Sequence, residues 1–277
     1  MDTTKAITHL SICSGYDGIG IGLKKILPTL RTICYVEREA YAICNLLQKM
    51  ESEQLDAAPI YSDVKTFPYK KFFGKVSILS AGFPCQSFSS SGLRKGVNDD
   101  RHIYPFISKG IEQCNPTSVF FENVKGIISS RTAEGQSVLQ YVLSDLERLG
   151  YQATAGIFSS SEVGYPHQRE RVFVFAIKKL SNTNGKRRTK ICVERKQSSN
   201  DLFECVGEKR NVVARQNEDQ FNWEEPRTKS KLGRTTYGVD CRLDRLRLLG
   251  NGCQPQVVMK AFVTLYNRFL VRCEDIT

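Results

Sequence analysis

The sequence has no CxxC pair, three histidines, one tryptophan and no long apolar run. Each scarcity excludes a class of protein. Without paired cysteines and with so few histidines, a zinc or other transition-metal site is not expected, since such sites draw on closely spaced Cys and His ligands. The ten cysteines lie at least ten residues apart, Cys34 and Cys44 being the nearest pair, and read as small buried hydrophobes in a reducing compartment. No stretch approaches the roughly 18 to 20 apolar residues that span a bilayer, and the start MDTTKAITHL lacks a signal-peptide core. A cytoplasmic protein is expected.

What is present is a globular composition, 40% hydrophobic and 10% aromatic over 277 residues, with a formal net charge of +11. A basic balance of this size favours a polyanionic partner. The charge is concentrated: residues 178–236 carry +7 of the total, leaving a near-neutral body.

Up to residue 178 short apolar runs alternate with amphipathic stretches, the pattern of repeated βα units on a mostly parallel sheet. Strands are expected at Ile7–Ser11, Thr32–Val36, Val76–Ser80, Ser118–Phe121 and Val172–Ile177. Helices are expected at Gly20–Leu27, Ala40–Met50, Tyr104–Gln113 and Gly135–Leu149. Three regions result: an α/β domain over 1–178 that carries the candidate catalytic and cofactor-binding residues, a polar, basic segment over 179–236, and a tail over 237–277. In the tail QPQVVMKAFVTLYNRFL predicts a helix starting near Pro255 that packs back on the first domain.

The first βα unit, ITHLSICSGYDGIGIGL, sets a glycine-rich turn between strand and helix, where a ligand can approach bare backbone. Glu37 ends the next strand 22 residues beyond Gly15, near the offset at which a carboxylate grips a ribose diol. Asp63, after a further turn, is placed to accept from an adenine amino group. The spacing of Gly15, Gly18, Gly20 and Gly22 is not GxGxxG, which argues against a dinucleotide.

Cys85 in AGFPCQSFSSSG follows a parallel strand, at the edge where open α/β sheets bind ligands, and reads as a thiolate nucleophile backed by Pro84 and a flexible polar loop. On the next strand TSVFFENVKGI brings Glu122 and Asn123 to the same edge, where burial raises a carboxyl pKa and keeps its proton available. Arg169 and Arg171 precede the apolar strand of GYPHQRERVFVFAI and present two guanidinium forks suited to a phosphate and a base carbonyl.

Taken together, SGYDGIG, FPCQSFSSSG, FFENVKGI, PHQRERVFVFAI and RLRLLGNGCQPQ resemble, in order and spacing, the motifs of the cytosine-C5 DNA methyltransferase family, in its small bacterial or phage form. The resemblance covers nearly the whole chain except about 179–236. It implies a Rossmann-like, S-adenosylmethionine-dependent methyltransferase sheet with a small, irregular target-recognition insert at 179–236. By the same resemblance, Cys85 attacks cytosine C6, Glu122 holds a proton at N3, Arg171 meets O2 and Arg169 the adjacent phosphate. Pro84, Gln86, Ser87 and Asn123 line the flipped base. The cofactor falls to Ser14, Gly15, Tyr16, Asp17 and Gly18 of the first turn, with Glu37 at the ribose, Asp63 and Val64 at the adenine, and Asn251 nearby. The implied partner is double-stranded DNA, the implied state a monomer, and the implied setting restriction-modification or phage self-protection. Methylation of RNA and silent DNA binding are the alternatives.

The chain also departs from the family. Cys13 stands where Phe is usual, Asp17 where glycine is common, and His167 where Gln is usual. The stretch before GNG is compressed around Arg242, Arg245 and Arg247.

Overall fold

The computed structural model describes residues 6–84, 103–132, 134–166, 168–179 and 248–274, with side chains through residue 269. The expected recognition segment, apart from Lys179, lies outside these residues, as do Arg242, Arg245 and Arg247. Strand β1 (Ile7–Ile12) leads through the glycine turn into helix α1 (Gly18–Ile26), and β2 (Leu30–Val36) leads into α2 (Ala40–Glu51). The short β3 (Ile60–Tyr61) and a 3-10 turn (Tyr69–Phe72) precede β4 (Ile78–Gly82). Then come α3 (Tyr104–Cys114), β5 (Ser118–Val124), α4 (Gly126–Ser129), α5 (Val138–Arg148), β6 (Tyr151–Ser159), β7 (Glu170–Lys178) and α6 (Pro255–Glu274).

The strands form one seven-stranded sheet in the order β3-β2-β1-β4-β5-β7-β6. The pairs from β3 to β5 are parallel, and β7 runs antiparallel to both β5 and β6. Because β7 enters reversed, its first residues lie beside the last residues of β5, with Val124 opposite Arg171. Two motifs far apart in sequence are thereby brought to one edge.

The five expected strands and four expected helices are present with ends shifted by a few residues. Helix α5 starts at Val138 rather than Gly135, because Gly135 takes a positive φ of 81° in a turn closed by Thr132 and Gln136. The sequence reading misses β6. That strand lies at the sheet margin with most of YQATAGIFS half-exposed, so it shows neither an apolar run nor clean alternation.

Both faces of the sheet are covered. On one, Leu10, Ile12, Leu79, Val119 and Phe121 pack under α3 and α5 through Tyr104, Ile107, Val142 and Leu146. On the other, Ile78, Phe120, Phe173 and Phe175 meet Ile19 and Leu23 of α1 and Val258, Phe262 and Leu265 of α6. The tail therefore lies against the first βα unit. Gly22 lets the two helices approach, since a Cβ there would stand 2.7 Å from the Pro255 carbonyl and Val258.

Under α1 the sheet face is polar. His9 bonds Thr32 at 2.9 Å and Ser80 at 2.8 Å across three strands, and burial pushes its pKa down to about 4, so it is neutral at pH 7.

Phe262 is fully buried and makes edge contacts with Phe120 and Phe175 at 5.3 and 5.1 Å. Phe262→Ala is expected to cost about 3–5 kcal/mol in urea unfolding. Phe73→Ala, at a residue 63% exposed, should stay within about 0.5 kcal/mol of the parent.

Candidate active site

The carboxyl ends of β1, β2, β4 and β5 and the start of β7 converge on one edge. Glu122 sits there almost fully buried on β5. In the antiparallel β5–β7 pairing it faces Phe173, so Arg171, two residues earlier on β7, is its diagonal neighbour on the same face. Arg171 Nε lies 2.9 Å from Glu122 Oε1 without the alignment of a full hydrogen bond, and Oε1 finds no aligned donor among the described residues. Burial raises the Glu122 pKa, opposed by the nearby charges of Arg171 and Arg169. The net result is a carboxyl held above its ordinary range, with its Oε1 buried beside the Arg171 guanidinium.

Asn123, next on the strand, turns to the opposite face. Its amide donates to the Phe83 carbonyl at 2.9 Å and its Oδ1 accepts from the Val124 amide at 2.9 Å. Phe83 is packed against Tyr104 and Phe121. Asn123 thus holds the backbone that delivers exposed Pro84 through its amide nitrogen and ties its oxygen to its own strand. The expectation that it lines the base is not what its contacts display; the amide is committed to positioning. Cys85, Gln86, Ser87 and His167 lie outside the described residues. The register sets Gly82 opposite Glu122, so the described chain runs on to Pro84 from Glu122's edge.

The Arg169 guanidinium donates to the carbonyls of Leu249, Gly250 and Gly252 at 3.2, 2.6 and 2.5 Å, so it holds the GNG loop. Asn251, on that loop, is exposed.

At the other end of the edge, Glu37 accepts from Gly15 N at 2.7 Å and from Arg38 and Glu39 N at 2.8 Å each. Two carboxylate oxygens can accept about four bonds, so one acceptor position on Oε2 is left. A Cβ at Gly15, whose φ is +55°, would meet nothing within 4 Å, which leaves room above the turn. Asp63 accepts from Lys65 N at 2.9 Å in an Asx turn, with buried Val64 beside it. The acceptors, the open turn and the glycine fit a nucleoside cofactor with a diol. Ser14 stays with the strand ends, donating to the Ser11 and Val36 carbonyls.

Asp17, Tyr16 and Gly18 point elsewhere. Asp17 has the left-handed φ of 61°, which explains why glycine suits the position, and its carboxyl faces inward to accept from Ser11 at 2.9 Å. Burial pushes its pKa up to about 7. Tyr16 donates to the Cys253 carbonyl, and Gly18 packs against that same carbonyl with no room for a Cβ. The Tyr16 side chain and the Gly18 backbone thus meet the Gly252–Cys253 loop.

With this geometry in view, comparison with known proteins is informative. Residues 7–245 match the family described as C-5 cytosine-specific DNA methylase. The chain belongs to that family. It is similar to the Type II methyltransferase M.HhaI of Haemophilus parahaemolyticus, 35% identical over 63% of this chain and 51% of that protein. It is also similar to M.NlaX of Neisseria lactamica, 28% identical over 60% of this chain and 50% of that protein. The chain spans about half the length of these relatives. Among solved structures, Dnmt2 methyltransferase of S. pombe aligns with a TM-score of 0.51 at 21% identity, covering 71% of this chain and 58% of that one. A mutant of Spodoptera frugiperda DNMT2 aligns with a TM-score of 0.51 at 20% identity, covering 66% of this chain and 53% of that one. At such identities these two structures speak for the fold alone, the Rossmann-like sheet expected from the sequence.

Asp17 gives this family member a pH signature. A carboxyl whose folded pKa lies above its unfolded value binds its proton more tightly when folded, so ionisation removes stability as pH rises from about 4 to about 7. Asp17→Asn retains the left-handed turn without the charge. Its stability relative to the parent should climb between pH 4 and 7 and level off above, read by urea midpoints across that range. A flat difference would remove the buried-acid assignment.

Proposed function

We propose that this chain methylates C5 of cytosine in a short sequence of duplex DNA, with S-adenosylmethionine as the methyl donor. The observation that carries the reading is the buried Glu122, its carboxyl pKa raised by burial, paired to Arg171 at the edge where Asn123 anchors the backbone leading to Cys85. Family membership supplies the reaction class.

The chemistry asks for such an arrangement. Cytosine C5 is a poor nucleophile until a group adds at C6. In the proposed sequence the Cys85 thiolate bonds to C6 while Glu122, as an acid, gives its proton to N3, so the displaced electron pair makes C5 an enamine carbon. The cofactor supplies the methyl group to C5. A base removes the C5 proton, N3 returns its proton to Glu122, and the C6–S bond breaks to restore cytosine aromaticity and the thiolate. Arg171 fixes the Glu122 carboxyl and stands beside the pocket to receive the base O2. Glu37, Asp63 and the Gly15 turn hold the cofactor's nucleoside and methionine ends.

A base within a duplex is out of reach of such a pocket, so it is flipped out, at roughly a few kcal/mol of unstacking. Residues 179–236, which hold most of the net positive charge, act as the recognition segment, with Arg, Lys, Asn and Gln available for groove contacts. The protein acts as a monomer in the cytoplasm of a bacterial or phage-infected cell. Its relatives are Type II methyltransferases, which favours a protective role in restriction-modification or phage self-protection.

The test is incubation of the purified protein with S-adenosylmethionine and either mixed-sequence duplex DNA or total RNA, followed by digestion and mass spectrometry of 5-methylcytosine. The modified base should appear in DNA, vanish with Cys85→Ser, and form about 10²–10⁴ times more slowly with Glu122→Gln, which cannot supply the proton. Methylation confined to RNA would overturn the substrate, and DNA binding without methylation in either nucleic acid would overturn the enzyme.

A further inference from the structure

Tyr16 occupies a place that neither its position in the cofactor turn nor the proposed chemistry explains. Its ring lies in a slot between two elements remote in sequence. On one side Lys49 of α2 stands 4.8 Å over the ring and also donates to the Tyr16 carbonyl at 2.8 Å. On the other is Gly252, where any Cβ would overlap the ring, and the phenol hydroxyl donates to the carbonyl of Cys253. The loop that Tyr16 reaches is gripped from its other side by Arg169, through the carbonyls of Leu249, Gly250 and Gly252. Arg169 stands two residues before Arg171, which pairs with Glu122.

These contacts form a continuous physical line across the sheet edge. It runs from Glu37 to Gly15 N, along the turn to Tyr16, across to Gly252 and Cys253, and through Arg169 to the strand that carries Arg171. We propose that Tyr16 is a positioning residue that straps the cofactor turn to the Gly252–Cys253 loop, so that filling the cofactor end orders the loop bordering the Glu122–Arg171 pair. This inference rests on the methyltransferase reading and adds to it a coupling between the two ends of the site. Coupling of this kind is reciprocal: whatever loosens the loop weakens the cofactor, and the cofactor tightens the loop.

The experiment combines hydrogen exchange of residues 248–254 with calorimetric binding of S-adenosylhomocysteine, the demethylated product of the cofactor, on the full chain. Tyr16→Phe keeps the ring and the Lys49 contact and removes only the hydroxyl. It should speed exchange over 248–254 roughly three- to ten-fold in the ligand-free protein, the loss expected for one hydrogen bond. It should weaken S-adenosylhomocysteine by a similar factor and raise KM for the methyl donor more than it lowers kcat. Gly252→Ala, which drives the ring out of its slot, should reproduce both effects. In the parent protein, ligand should slow exchange over 248–254, and in Tyr16→Phe this protection should shrink.

Faster exchange in Tyr16→Phe with unchanged ligand affinity would reduce Tyr16 to a local structural tie and overturn the proposal, as would no change in either. Failure of the parent protein itself to bind S-adenosylhomocysteine would overturn the methyltransferase reading, a result distinct from a strap that fails in a protein that binds.

Discussion

The site depends on a carboxyl kept out of water beside a guanidinium. Glu122 and Arg171 meet only because β7 runs against β5, which sets the N-terminal end of one strand beside the C-terminal end of the other. In a purely parallel sheet the residues before β7 would emerge at the opposite edge, and the carboxyl would face solvent or a bare apolar wall. The surrounding core serves this placement. Phe120, Phe173 and Phe175 flank the strand pair beneath α1 and α6, while Phe121 and Phe83 pack on the other face, so the sheet edge is rigid where the carboxyl and the guanidinium stand.

A second constraint is the closeness of α1 to everything around it. Gly18 and Gly22 lack the Cβ that would strike the Cys253 carbonyl and the start of α6, and Gly20 leaves room for the Asp17 carboxyl. The helix therefore lies low over the sheet, above a stripe of buried polar groups formed by His9, Ser11, Thr32 and Ser80. Their side chains are satisfied within the stripe or, for Ser11, by Asp17, as burial of polar groups demands. The glycines in the first motif thus have two jobs. Gly15 leaves room on the outer side of the turn, while Gly18 and Gly22 let the 248–254 loop and α6 close against its inner side.

Much of this was legible in the sequence, and the missing parts have common causes. The strands were readable where both faces are apolar, as in SVFF and RVFVFAI, and β6 was not, because a marginal strand built on Ala, Thr and Gly carries little periodic signal. Motif order announced that Glu122 and Arg171 belong together, whereas the antiparallel pairing that makes them diagonal neighbours is a property of the sheet. The family resemblance pointed Asp17, Tyr16 and Asn123 toward ligands, and the guanidinium fork pointed Arg169 there too. The structure turns all four toward the protein itself, since a side chain at a binding edge can serve the site by holding backbone. The one signal that could have warned of this was the departure at position 17. A non-glycine residue in a turn that demands positive φ has to earn its place through its side chain, and Asp17 does so by accepting from Ser11.

The most direct test of the central claim is a covalent one. Duplex DNA containing 5-fluorocytosine in place of cytosine would be incubated with the protein and S-adenosylmethionine, then digested and searched by mass spectrometry for a peptide-linked base. Fluorine cannot leave C5 as a proton does, so the adduct stops after methyl transfer. The account predicts a methylated fluorocytosine attached through C6 to Cys85, greatly diminished in Glu122→Gln. An adduct on any other cysteine, or none with DNA bound and cofactor present, would contradict it.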